Sequence, residues 1–313
     1  MGSAMKMLIA LGGNAILKGN EKGTFEEQKH NIMYTAKRMA EIIKEGHSVV
    51  ITHGNGPQVG EILLRYELSR KKLPVMPLSV CGAESQGMIG YMIEELLDAE
   101  LCKLGIKKDV VCLITRTVVD RKDPHFRKPS KPIGPFYSKA DALKMAREYG
   151  WELVEESGRY RRVVPSPMPI DIMELDAIQR LSYEGKVVIC CGGGGVPVAR
   201  NGKKLEGVDA VIDKDFASSL LARKLHADRF IMLTDVGNVF LDYGKLTQRK
   251  LATAKASQLR RWILEGQFEE GTMKPKIMAA ADFAEETGKI AVIAALKDLK
   301  MAVDGKRGTV ITP

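Results

Sequence analysis

The chain has 313 residues, 45% hydrophobic and 28% charged, which suits a folded body with a sizeable core and excludes wholesale disorder. No apolar run approaches the ~20 residues that span a bilayer, since 187–199 is interrupted by four consecutive glycines. Its 48 Lys and Arg against 39 Asp and Glu give a net charge of +9, but the basic residues are scattered and lack interleaved aromatics. Nucleic acid and membrane are therefore not expected partners, and small anions are. Five cysteines (81, 102, 112, 190 and 191) form no CxxC pair. Cys102, Cys112, Cys190 and Cys191 sit in apolar segments, where core packing in a reducing cytoplasm is expected. Residues 1–10 carry no basic leader, and 2–4 read as a remnant ahead of Met5.

In chain order, residues 7–11 read as a buried strand that runs into Gly12-Gly13-Asn14. Thr24 with Glu27 forms a capping box, Ile32, Ala36, Met39, Ala40 and Ile43 recur at helical spacing, and Gly46 supplies the stop. A second strand, 48–52, leads into His53-Gly54-Asn55-Gly56-Pro57, where Pro57 suits the first turn of a helix. The third strand is 110–114. Residues 124–169 then carry seven of the 13 prolines, a helix opened by Ser138 and Asp141 and ending near Gly150, and an alternating segment, 151–164. With Ser157-Gly158 at its middle, that segment reads as an antiparallel hairpin. The region reads as an insertion standing off the main sheet, too long for a plain connection. Strand 186–191 enters four glycines, 230–234 ends in Thr234-Asp235, helix 278–286 precedes Gly288, and 290–294 is the last strand. Strands alternating with helices predict a three-layer αβα sandwich around a mainly parallel sheet, with a protruding lid-like subdomain.

Three glycine loops follow three strands, and in parallel sheets such loops open on one edge, where open α/β folds bind ligands. Glycine lets backbone N–H groups approach an anion, so a phosphate or nucleotide site is expected there. No P-loop, dinucleotide fingerprint or protein-kinase motif set occurs, which leaves dispersed lysines to hold phosphate. Lys214 stands out between Asp213 and Asp215 after apolar Val211-Ile212, and Lys276 stands out just ahead of the last helix. Asp235 ends a strand where a nucleotide ribose or base could be contacted, although a helix cap would look the same. The five histidines show no metal or triad spacing, and no carboxylate cage for a metal is visible.

The blocks Ala10-Leu11-Gly12-Gly13-Asn14-Ala15, Gly54-Asn55-Gly56-Pro57-Gln58-Val59-Gly60, Lys131-Pro132-Ile133-Gly134-Pro135-Phe136, 192–198, Asp213-Lys214-Asp215 and Thr234-Asp235-Val236 run in order through the chain. Together they resemble carbamate kinase, of the amino-acid-kinase fold. The resemblance implies one such domain over 1–313 with 124–169 as an inserted lid, and a reversible reaction between ATP and carbamate giving ADP and carbamoyl phosphate. It implies that Gly12, Gly13, Asn14, Gly54, Asn55 and Gly56 hold the carbamoyl phosphate side. Lys214 and Lys276 would neutralise the transferring phosphoryl, Asp215 would order them, and Lys131 would reach in from the lid. Gly193, Gly194, Asp213, Asp235, Tyr243, Met273 and Lys276 would serve the nucleotide. ATP or ADP would carry Mg²⁺, and a cytoplasmic homodimer in arginine metabolism is the implied setting.

Ala10 stands where related small-carboxylate and uridylate kinases usually carry a lysine, and Lys214 looks like its replacement. Lys274, Thr272 and Glu84 depart from the usual pattern, and Lys274 leaves open which cation beside it reaches the phosphate. Two alternatives accompany the resemblance: another enzyme of this fold acting on a small carboxylate, and a non-catalytic nucleotide sensor.

Overall fold

The computed structural model describes residues 4–19, 21–156, 158–269 and 271–313. Gly2 and Ser3 of the remnant reading, and Ser157 of the expected hairpin turn, lie outside the described residues. The central sheet runs in spatial order Thr253–Lys255, Thr309–Thr312, Ile290–Ala295, Arg229–Thr234, Lys6–Leu11, Ser48–His53, Val187–Ile189, Val110–Cys112. Among the described residues its pairs are parallel except that of Ile290–Ala295 with Thr309–Thr312.

The helices are α1 (Phe25–Lys44), α2 (Gly56–Ser69), α3 (Leu78–Lys103), α4 (Lys139–Tyr149), α5 (Leu175–Tyr183), α6 (Lys214–Lys224), α7 (Ala256–Leu264), α8 (Met273–Thr287) and α9 (Leu299–Val303). Alternation along the first strand sorts them into two layers. Met7, Ile9 and Leu11 pack with Ile32, Met39, Leu97 and Val303 of α1, α3 and α9. Leu8 and Ala10 face the other way, into a cluster with Leu221 of α6 and Phe283 of α8. A sheet buried on both faces needs strands that are apolar throughout, which is what the sequence supplies. The result is the expected three-layer αβα sandwich.

Local signals act as the sequence indicates. Thr24 Oγ1 accepts from Glu27 N at 3.3 Å while Glu27 Oε2 accepts from Thr24 N at 2.9 Å, so the capping box closes at α1. Ser138 caps α4 and Gly150 ends it at φ 68°. The last long helix differs from expectation. α8 begins at Met273, so Lys276 lies inside it and not ahead of it. Pro275 falls in the first turn, where the missing N–H removes no intrahelical bond. Cys102 also differs: it is exposed on α3, while Cys81, Cys190 and Cys191 are buried.

Within 124–169, strands Lys131–Tyr137, Arg159–Val164 and Glu152–Glu156 form an antiparallel sheet, which includes the expected hairpin. A four-stranded sheet of Lys204–Gly207, Val196–Asn201, Arg116–Val119 and Pro169–Ile172 was not foreseen from sequence. Strand Lys131–Tyr137 lies directly on α2: a Cβ on Gly60 would come within 2.1 Å of Gly134 N. Among the described residues no helix is long and apolar enough to cross a membrane.

Candidate functional site

Sheet order places the strands that precede the three glycine loops side by side, so the loops converge at one edge. Gly12 is pressed against the neighbouring strand, where a Cβ would sit 2.6 Å from Leu233 O. Gly13 is different: nothing lies within 4 Å of where its Cβ would be. Gly54 faces this space, with its notional Cβ 3.5 Å from Lys214 Cε and 3.8 Å from Gly13 N. Gly56 opens α2 with Pro57 behind it, which leaves the positive end of the helix dipole at the same place. The Asn14 side chain lies outside the described residues.

Asp215 binds two lysines at once. Lys214 Nζ donates to its Oδ1 at 2.6 Å and Lys276 Nζ to its Oδ2 at 3.0 Å. Lys276 also donates to Thr272 O at 3.2 Å. The carboxylate is 4% exposed and the two ammoniums 11% and 16%, so solvent screens the trio poorly. One carboxylate between two cations leaves a net positive charge facing the glycine loops. Lys214 is the first residue of α6, an unfavourable place for a cation, and acidic neighbours offset this. Asp213 caps the helix by accepting from Asp215 N at 2.9 Å. Its other oxygen accepts from Lys131 Nζ at 2.5 Å, so strand Lys131–Tyr137 reaches the lysine pair through Asp213.

Burial pushes the Asp215 carboxyl up, but Lys214 and Lys276 outweigh it and hold the group well below the usual carboxylate range. Burial draws Lys214 below the usual ammonium range, with Asp215 opposing and Lys276 adding to the fall. For Lys276 burial also pulls downward, yet Asp215, Asp213 and Asp235 together raise it. His53 is buried beside this centre. Burial is the largest cause of its fall to about 4, and the Lys214 cation adds to it, so the ring is neutral near pH 7. Its Nδ1 lies 2.9 Å from Gly54 O, which makes that nitrogen the protonated donor.

The remaining expected residues are less tightly gathered. Gly193 and Gly194 are buried, and a Cβ on either would collide with the Asn55 side chain or with Ile212 O. Met273 starts α8 and packs partly into the core. Asp235 follows strand Arg229–Thr234 and acts on Lys276 through charge. Tyr243 is exposed, in the turn after Val239–Leu241, with its ring 6.1 Å from Phe240. A groove of about 1030 Å³ lined by Gly12, Thr234, Asp235 and Lys297 also reaches this edge, but its lining includes none of Lys131, Lys214 and Lys276. The lysines therefore mark the centre better than the groove does.

Sequence reasoning missed the buried polar brackets beneath the loops. Gln86 Nε2 donates to Thr115 O at 3.1 Å and Thr115 N returns a bond to Gln86 Oε1 at 3.0 Å. Thr115 Oγ1 accepts from Cys191 N, and Thr117 Oγ1 donates to Gly194 O. Thr52 and Ser218 hydroxyls meet at 2.7 Å, fixing α6 against the second strand. The one signal available was polar residues embedded in apolar segments, such as Ser85-Gln86 in α3.

The amino acid kinase family model matches residues 5–295. Carbamate kinase of Pyrococcus horikoshii is 48% identical over 311 residues, 98% of this chain and 99% of that one. Carbamate kinase of Trichomonas vaginalis is 45% identical, over 99% of this chain and 100% of that one. The solved structure of carbamate kinase from Giardia lamblia bound to AMP-PNP superposes with a TM-score of 0.91 at 43% identity, covering 100% of this chain and 99% of that one.

Proposed function

The chain belongs to the amino acid kinase family and, within it, to the carbamate kinases; from that premise we propose that it catalyses reversible phosphoryl transfer between ATP and carbamate. The observation that carries this reading is the Asp215-bridged pair of Lys214 and Lys276, with the Lys214 stem beside Gly54. Carbamate is already an anion, so its oxygen can attack phosphorus without a general base. What the chemistry requires is in-line placement and neutralisation of charge spread over the transferring phosphoryl.

In this reading the backbone of Gly12 and Gly13, with Asn14, Gly54, Asn55 and Gly56, holds the carbamoyl phosphate side. Lys214 and Lys276 meet the moving phosphoryl, and Lys131 approaches from the insertion. Asp235, Tyr243 and Met273 line the nucleotide's place, with Gly193, Gly194 and Asp213 supporting. Mg²⁺, when bound with ATP, supplies further neutralisation of the phosphates. The carboxylates of Asp213 and Asp215 are engaged by Lys131, Lys214 and Lys276, and no cluster of three or more His, Cys, Asp and Glu suited to a metal occurs among the described residues. The nucleotide's own phosphates are thus the natural ligands for that ion. A cytoplasmic homodimer serving arginine metabolism is the setting we propose, on resemblance to the family alone.

ATP formation from ADP with carbamoyl phosphate, run beside acetyl phosphate and acetylglutamyl phosphate, tests the substrate. Carbamoyl phosphate should exceed both in kcat/KM. Faster turnover of either competitor would assign a different carboxylate.

A further inference from the structure

A second cleft, of about 520 Å³, lies where the 124–169 region meets the body of the molecule. Leu63 and Glu67 of α2, Leu78 of α3 and Asp209 line it from the body, and Trp151 and Arg162 line it from the antiparallel sheet side. Neither the three glycine loops nor Lys131, Lys214 and Lys276 contribute to its lining, which is otherwise mainly apolar and of small-molecule size. Folding leaves several polar atoms of these side chains without partners. Trp151 Nε1, Arg162 Nε, Arg162 Nη1 and Glu67 Oε2 are closed to solvent, and none has a hydrogen-bond partner. Glu67 Oε2 pairs loosely with Arg70 Nη1, at 3.5 Å. Trp151 is 7% exposed, and the Arg162 guanidinium stacks over its ring, 4.7 Å from the centroid. Burial draws Arg162 below the usual guanidinium range, with the charges of Glu67 and Asp209 opposing. Asp209 is fixed at the cleft because its Oδ1 accepts from Leu78 N at 3.1 Å. Buried polar groups ordinarily have partners, so open donors and an open acceptor around one cleft call for a ligand that completes both.

We propose that this cleft binds a small apolar α-amino acid, at a site separate from the lysine centre. The ligand's carboxylate takes the Trp151 and Arg162 donors, its ammonium sits between Glu67 and Asp209, and its side chain lies against Leu63 and Leu78. A simple carboxylate would satisfy Arg162 but face Glu67 and Asp209 with its own negative charge. A simple amine would leave the Trp151 and Arg162 donors as open as before. Only a zwitterion matches both signs. Side chains re-aim readily on binding, so the enclosed guanidinium needs a rotamer change and no backbone movement to meet the carboxylate.

The test is isothermal titration calorimetry of the full chain with L-leucine, beside isocaproate, which lacks the ammonium, and isoamylamine, which lacks the carboxylate. L-Leucine should bind with a dissociation constant of about 1 mM or lower, at least about tenfold more tightly than either comparison. Arg162→Met and Glu67→Gln should each weaken it at least about tenfold. Saturating ADP with carbamoyl phosphate should not displace it, because the two sites share no residue. If Arg162→Met loses its fold, Glu67→Gln carries the comparison, since it keeps the size of the side chain. No binding of L-leucine, L-methionine or L-phenylalanine up to about 20 mM would mean that water alone fills the cleft, and would overturn the proposal. Equal binding of isocaproate or isoamylamine, affinity unchanged in the folded variants, or displacement by the nucleotide and carbamoyl phosphate would overturn it as well.

Discussion

Gly13 separates two explanations for glycine in the first loop. A glycine kept for packing has a neighbour where its Cβ would be, as Gly12 has in Leu233 O, but Gly13 has open space. Gly13→Val should accordingly keep the fold, with a melting temperature within a few degrees of wild type, and abolish turnover by filling the room the phosphate needs. Unfolding of the variant would return Gly13 to a turn-forming role. His53 gives a pH signature. Unfolded histidine binds a proton near pH 6.5, while the buried ring resists until about 4. Stability therefore falls as pH drops through that window, by about 3 kcal/mol in total. Asp215, held well below the usual carboxylate range, loses its stabilising ionisation only at more acidic pH. Urea unfolding from pH 7 to 4 should show the slope, and His53→Gln should flatten it. Lys276 is bonded to Asp215, and we propose it as the cation of its segment that serves the phosphoryl group. Lys276→Met should cost at least ~10-fold in kcat, against near silence for Lys274→Gly.

Elements differ in how openly the sequence announced them. α1 was readable because its apolar residues keep one stripe between a capping box and Gly46. α3 was not: glycines 82, 87 and 90 lower its propensity, and its buried face carries Ser79, Ser85 and Gln86 while Val80 and Tyr91 are exposed, so the apolar stripe is blurred. Pro275 hid the start of α8 by resembling a breaker. The four-stranded sheet was invisible because its strands are short and, apart from the hairpin of Val196–Asn201 with Lys204–Gly207, pair across long sequence separations. The chemistry of the site was legible where it is local, as in Asp213-Lys214-Asp215 after an apolar pair. Its support by Ser85, Gln86 and Thr115 was not, because those bonds join distant segments. The 124–169 region, which we propose is an inserted lid, carries the clearest dynamic expectation. Lys131 already meets Asp213, so a lid role predicts that Lys131→Ala raises KM for carbamoyl phosphate more than for ADP. Hydrogen exchange across 124–169 should slow when carbamoyl phosphate and ADP are added together. Unchanged exchange with unchanged KM would make the region a structural appendage.

At the scale of the whole molecule, the sheet brings separate pieces of chain to one edge. Loops after the first and second strands, Lys214 of α6, Lys276 of α8 and Lys131 of strand Lys131–Tyr137 gather there. Phe230 and Phe283, both fully buried with rings 5.6 Å apart, join the sheet to α8, the helix that carries Lys276. In our proposal this assembly sets Lys214 against the phosphoryl in transit, so its charge matters more in the transition state than in the bound ground state. The most direct measurement is kcat for ATP formation by Lys214→Met, taken with the ADP dissociation constant of the same protein. A fall in kcat of at least ~10²-fold is expected, with ADP affinity changed by less than about threefold. A kcat near that of wild type, or a loss that appears wholly in ADP binding, would contradict it.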